Sequence, residues 1–225
     1  TNDVTALLID IYKVDPAMAA FAARASQGHI GRARGLATEE VSRARRQSDL
    51  RSAISLRDVP SCVLAAREMV TAAAAAANTR ADELDTKEDE QLKAAFGIEE
   101  GSRIKGPSKR NVDSAKKQLL AHQKTRRTRM IRDEADRSLV DLLGLFRDVL
   151  IVQVGSNLDL INQEMLPAIE SFAARGNPAD TTRTLEAIEH ARASIQAHTP
   201  PQLAVESVMV SIKDPKLASV HVNMR

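Results

Sequence analysis

Lys109 to Val154 reads KRNVDSAKKQLLAHQKTRRTRMIRDEADRSLVDLLGLFRDVLIVQV, with one glycine, Gly144, and no proline. A single interior glycine is tolerated in a helix. The stretch therefore predicts one uninterrupted helix, about 70 Å long at 1.5 Å per residue. In its second half Ala135, Leu139, Leu142, Phe146 and Val149 recur at spacings of four, three, four and three. That period places them on one helical face, which must meet a core. The first half is mostly charged.

Upstream, Ser61 to Phe96 has almost no breaker and contains six consecutive alanines, Ala72 to Ala77. Such a run is a strong helix former that packs closely against a neighbour. Gly97 to Ser108, with three glycines and Pro107, reads as the loop between the two long helices. Before them, four short helices are expected. The first covers Thr5–Tyr12. The second opens at the Asp15-Pro16 cap, presents Met18, Phe21, Ala22 and Ala25, and stops at Gly28. The third covers Ile30–Ala37, and the fourth runs from an N-cap at Thr38 to about Leu56. Pro60 disfavours helix at Val59, so a boundary is placed at Arg57–Pro60. Beyond the long helix, Leu158–Ala174 reads as a helix interrupted near Pro167. Asn177-Pro178 opens another that ends at Thr199-Pro200, and Pro201–Ile212 is the last. The expected organisation is all-α: a small helical domain (1–57), a helical bundle with one very long helix (58–213) and a tail (214–225).

Composition agrees. Aromatic residues are only 2% of the chain, with four Phe, one Tyr and no Trp, and Gly (9) and Pro (8) are scarce. A β-sandwich or barrel would use more aromatic and β-branched residues. No run of 18 apolar residues is present, so no membrane span is expected. The N-terminus lacks the basic, apolar and small-residue order of a signal peptide. A single cysteine, Cys62, excludes an internal disulfide and a cysteine-cluster zinc site, and it reads as a small buried apolar residue. A reducing cytoplasm fits this usage. The chain begins without Met, which suggests a fragment or processed product.

Catalytic motifs are absent. There is no HExxH, nucleophile elbow or Rossmann fingerprint. His190 and His198 fall near one helical face, but two ligands are too few for a metal. Gly101-Ser102-Arg103-Ile104-Lys105-Gly106-Pro107-Ser108 has the outline of a P-loop with Pro107 where the lysine belongs. Without that lysine the phosphates lose their cation, and Pro contributes no N–H. The stretch reads as a plain loop. No catalytic residue, cofactor or metal is expected.

The net charge of +2 is unevenly spread. Residues 78–102 carry 3 basic and 8 acidic groups, and residues 103–132 carry 11 basic and 1 acidic. Lys124, Arg126, Arg127, Arg129 and Arg132, with Lys116 and Lys117, are the candidates for phosphate contact. At about 100° per residue, Lys124, Arg126, Arg127, Arg129 and Arg132 surround the helix and do not form a stripe. Two readings stay open. The basic segment meets the acidic block or a protein partner, or it touches DNA as part of a helical nucleic-acid-binding protein. A self-associating helical scaffold is a further alternative.

Three stretches carry a resemblance. They are Ala22-Ala23-Arg24-Ala25-Ser26-Gln27-Gly28-His29-Ile30-Gly31-Arg32-Ala33-Arg34, Lys124-Thr125-Arg126-Arg127-Thr128-Arg129 with Arg132-Asp133, and Ser138 to Leu150. Over residues 1–213 the chain resembles the C-terminal part of the delta prime subunits of the bacterial DNA polymerase III clamp loader, in their actinobacterial form. The resemblance implies an AAA+ lid (1–57), a collar domain (58–213) and a missing nucleotide-fold domain. It implies assembly with delta and gamma/tau subunits through the collar, with the helices around Leu139–Leu150 and Leu185–Val208 as the expected contacts. In ATP-hydrolysing relatives the start of the third helix supplies a sensor 2 arginine. Here Gly31 stands at that position and Arg32 follows it, turned by about 100°. Gly28, Gly31 and Arg32 thus form a degenerate sensor 2 region, which fits a non-hydrolysing stator. The resemblance implies a cytoplasmic role in DNA replication.

Overall fold

Asp15 and Pro16 start a helix as the sequence anticipates. The Asp15 carboxylate accepts hydrogen bonds from the N–H groups of Ala17 (2.8 Å) and Met18 (3.2 Å), which answers two of the four donors a helix start leaves unpaired. This is the second helix of a computed structural model that describes residues 2–97 and 107–218. Among those residues there are helices and no strands, so the fold is all-α. In chain order they are α1 (Asn2–Asp10), α2 (Pro16–Ala25), α3 (Ile30–Thr38), α4 (Glu40–Ile54), α5 (Val59–Ala95), α6 (Pro107–Val154), α7 (Leu166–Ala173), α8 (Pro178–Gln196), α9 (Pro201–Lys213) and α10 (Pro215–Ala218).

Several boundaries differ from expectation for local reasons. Thr38 does not cap α4; it is the last residue of α3, and its hydroxyl donates to the Arg34 carbonyl (2.9 Å). Glu39 takes the cap position with extended backbone. Val59 is helical despite Pro60. Proline is harmless in the first turn, where its missing N–H has no partner to lose. Asp58 is the true cap: its carboxylate accepts from the Ser61 N–H (2.8 Å), while the Ser61 hydroxyl accepts from the N–H groups of Arg57 and Asp58 (both 3.0 Å). Those bonds hold the exposed Asp58 carboxyl below its ordinary range. Residues 215–218, read as tail, form α10. The P-loop-like stretch and the rest of the tail lie largely outside the described residues.

Contacts gather the chain into two units, Thr1–Val70 with Asp136–Arg225, and Thr71–Ala135. The cuts fall within the two long helices rather than near Asp58. The first unit has a small core in which Val4, Leu8, Ala19, Ala22, Ala23, Ala33 and Leu36 pack with Tyr12 and Phe21. The C-terminal half of α6 is buried on nearly every side. Leu139, Leu142, Leu145, Phe146 and Val149 are at most 1% exposed. Around the same core α8 packs on α9, α4 reaches α9, and α10 touches both α8 and α9. Phe146 meets Phe172 of α7 edge to face at 5.7 Å. Cys62 is buried, with its Sγ near the Asp58 carbonyl (3.2 Å).

The expected Leu158 helix is replaced by an extended segment, with a single 3-10 turn at Gln163–Met165 before α7. Its cause is Asp148, fully buried on α6. The Asp148 carboxylate accepts from the N–H of Ile161 (3.0 Å) and from the N–H and side-chain amide of Asn162 (2.7 and 2.8 Å). Gly144 keeps the neighbouring surface clear, since a Cβ there would lie 3.2 Å from the Gln27 amide and 3.5 Å from Ile161.

The second unit is a helical hairpin. Cross-pairs run in opposite directions along the two helices: Arg80 with Glu134, Asp82 with Arg127, and Glu88 with Arg126 and Gln123. Ala73, Ala77 and Ala81 on α5 are fully buried at four-residue spacing, so small side chains line the seam. The alanines also give α5 an 18-residue window of mean hydropathy 1.2. By length and composition alone it is the one described helix that could cross a membrane.

Replacing Asp148 leaves two buried N–H groups and an amide without their acceptor. Asp148→Ala is expected to lower the unfolding free energy by about 3 kcal/mol in urea titrations, the scale of several lost buried bonds. An unchanged midpoint would contradict this role.

Candidate functional site

The chain's predicted site residues fall in two places, one in each unit. The first begins where α2 ends. Gly28 has φ +88°, a conformation that favours glycine, and it turns the chain into α3. His29 caps α3, its Nδ1 accepting from the Arg32 N–H (3.2 Å). Gly31 lies against that imidazole, 3.4 Å from where a Cβ would stand. Arg32 turns into the first unit, where its guanidinium donates to Asp141 of α6. Its side chain is only 10% exposed. Burial pulls the Arg32 pKa below its ordinary value and Asp141 opposes that shift. A guanidinium remains charged regardless.

Asp141 accepts from a second arginine. Arg46 of α4, 5% exposed, donates through Nε to Asp141 (2.7 Å), through one Nη to Glu164 (3.1 Å) and through the other to Asn162. Its guanidinium also stands 5.8 Å from the Phe21 ring centre. Arg24 donates to the Ile161 carbonyl (3.1 Å). Two cations on Asp141, with Glu164 beside them, join α3, α4, α6 and the 161–164 segment. Next to them Asp49 accepts from the Ser138 hydroxyl (2.8 Å). Burial pushes the Asp49 carboxyl up to about 6, against the opposing pull of Ser138 and Arg45, and Asp141 adds repulsion. The arrangement holds helices together. It has no open coordination position, and no nucleophile sits beside a free base.

The second place is the hairpin. The structure does not gather Lys124, Arg126, Arg127, Arg129 and Arg132 on one surface. Arg126 turns toward α5 and donates to Glu88 and Asp85. Arg127 donates to Asp82 (2.6 Å) and Asp85 (2.7 Å). Glu88 and Asp85 raise the Arg126 pKa, Asp82 and Asp85 raise that of Arg127, and Arg126 lowers that of Glu88. The Arg126 Nε is buried without a hydrogen-bond partner. Lys124 is exposed, Arg129 is 84% exposed and lies 3.9 Å from Asp133, and Arg132 is half-buried. The basic segment thus meets the acidic block through Arg126 and Arg127.

Sequence reasoning passed over Arg46, Asp49, Asp141, Asp148 and Asn162, all buried. A signal was present. Residues 46, 49, 50 and 53 form one helical stripe, and two of its four members are charged. Asp141 and Asp148, seven apart, share a face within an apolar helix. Elsewhere, a cavity of about 290 Å³ is lined by Phe146, Phe172, Ile212, Arg175 and Thr181. The Thr181 hydroxyl is already committed to Gln153 (2.8 Å). Among the described residues no group of three or more His, Cys, Asp or Glu is arranged to hold a metal ion. Comparisons of the chain with protein-family models, curated proteins and solved structures find no match.

Asp49 sets a pH dependence. Its folded pKa of about 6 exceeds the unfolded value of about 4. The folded state therefore holds a proton that the unfolded state releases between those values. Stability falls as pH rises through that window and stays lower above it. Asp49→Asn is expected to raise stability by about 1–3 kcal/mol at pH 7.5, with the gain vanishing below about pH 4. Urea melts at both pH values test this, and a destabilised variant at pH 7.5 would refute it.

Proposed function

We propose that the chain is the lid and collar portion of a clamp-loader stator subunit of the delta prime kind. It takes part in cytoplasmic DNA replication by protein–protein contact with delta and gamma/tau subunits and performs no chemistry itself. Residues 1–57 are the lid and 58–213 the collar in this reading. The observation that carries it is the fate of Arg32. An arginine that senses nucleotide must reach a phosphate. Arg32, the only arginine adjacent to the sensor position, is instead engaged by Asp141 and nine-tenths buried. Gly31 offers no side chain in its place. A subunit that does not hydrolyse ATP has no need of one.

Of the two stretches expected to make the assembly contacts, the one around Leu185–Val208 has the better support. In the other, Leu139, Leu142, Leu145, Phe146 and Val149 are taken up by the unit's own core, and Val140, Leu143 and Leu150 are half-buried. Within Leu185–Val208, Leu203 of α9 is 58% exposed and offers one apolar anchor to an interface that needs an apolar core with a charged rim.

The test is light scattering after size exclusion, with the full chain alone and mixed with delta and gamma/tau of its own organism, at about 150 mM salt to screen loose charge attraction. A stable mixed complex is expected, and Leu203→Glu is expected to weaken it while leaving helicity intact. A chain that ignores both partners would overturn the proposal.

A further inference from the structure

The pairing in the hairpin changes what the basic segment presents. Arg126 and Arg127 are neutralised by Asp82, Asp85 and Glu88. The remaining cations can be placed around α6 at about 100° per residue. With Lys117 as origin, Arg110 lies about 20° to one side and Lys124 about 20° to the other, while Arg126 lies about 180° away. The side of α6 that carries Lys117 is thus opposite the side held by α5. Arg110, Lys117 and Lys124 are all exposed. None has a carboxylate within ion-pair distance among the described residues. They stand about 10 Å apart along the axis, over about 21 Å.

Between the cations, Asp113 lies about 40° to one side of Lys117 and puts one opposing charge on the face, and the other residues there are small. Ser114, Ala121 and Thr128 fall on the same face. Leu120, on its edge, is the one large apolar side chain of this segment that is prominently exposed, at 52%. A protein interface needs an apolar core, and one leucine does not make one. There is no Phe, Tyr or Trp on α6 before Phe146, so unstacked bases would find no ring to rest on. Asp113 is the only acidic residue between Arg110 and Arg132. On α5, Asp82, Asp85 and Glu88 are engaged by Arg126 and Arg127 across the seam.

We infer that the outer face of α6, through Arg110, Lys117 and Lys124, docks along the phosphate backbone of a nucleic-acid duplex without reading its sequence. Straight, regularly spaced cations on a rigid helix suit a stiff polyanion with its phosphates fixed in space. The inference does not depend on the clamp-loader proposal. Its readout is DNA binding by the full chain alone.

The test is fluorescence anisotropy of a labelled DNA duplex of about 20 base pairs, about three times the length of the stripe at about 3.4 Å per pair. The full chain is titrated between about 50 and 200 mM salt. Three phosphate contacts give a slope of about −3 in log K against log salt. Lys117→Glu with Lys124→Glu is expected to weaken binding at least tenfold and to flatten that slope by about 2, with helicity unchanged. Lys117→Gln with Lys124→Gln provides a milder form of the same change. Lys87→Glu with Lys93→Glu on α5 alters net charge equally and is expected to change affinity less than threefold. The duplex is expected to outcompete a single strand of the same sequence and poly-glutamate. The inference is overturned by no binding at the lowest salt, by equal losses in the α5 and α6 variants, or by preference for the single strand or poly-glutamate.

Discussion

Two guanidiniums share the Asp141 carboxylate, and the first unit is organised around that fact. Arg32 comes from α3 and Arg46 from α4. Arg46 then reaches onward to Asn162 and Glu164. Removing several charges from water is costly, and mutual attraction offsets that cost only when the geometry is good and every remaining donor has a partner. Apolar side chains of similar volume often stabilise as well as such a cluster. An ionic cluster differs in being directional. It admits one rotation of α4 about its axis and one height of α3 along α6. The apolar core alone, rich in interchangeable alanines, would fix neither as tightly.

The same logic explains Asp148, one turn pair further along α6. Its carboxylate substitutes for the hydrogen-bond partners that the 155–162 segment would have found in a helix. The two aspartates therefore divide the labour on one face of α6. Asp141 orients helices that precede it in the chain, and Asp148 shapes the connection that follows.

Much of the helical layout was legible because it depends on local rules. The face formed by Ala135, Leu139, Leu142, Phe146 and Val149 is buried as its period requires. Asp15 and Asn177 cap their helices because each side chain accepts N–H bonds of the first turn, and the Pro that follows each suits the first helical position. What escaped depends on distant partners. Periodicity puts Asp141 and Asp148 on the side of α6 away from that apolar face, where charged residues are expected to meet water, so the period did not mark them as buried. The segment before Pro167 carries enough apolar residues to read as helix, and only Asp148 redirects it. In the hairpin, the basic residues of α6 taken alone encircle the helix. The acidic partners on α5, some 40 residues earlier, divide them into a paired side and an open side, and no window of sequence spans both.

The alanine seam has a thermodynamic consequence. The heat capacity released on unfolding scales with the apolar area that becomes exposed. Ala73, Ala77 and Ala81 bury far less of it than the leucines, isoleucines and phenylalanine of the first unit. Hydrogen bonds and ion pairs on α5 and α6 supply the rest of the hairpin's cohesion, and exposing polar groups lowers heat capacity rather than raising it. The hairpin's stability curve is therefore flatter than that of the helical body. Cooling, which weakens the apolar core of one unit, leaves the clasp of the other almost as it was.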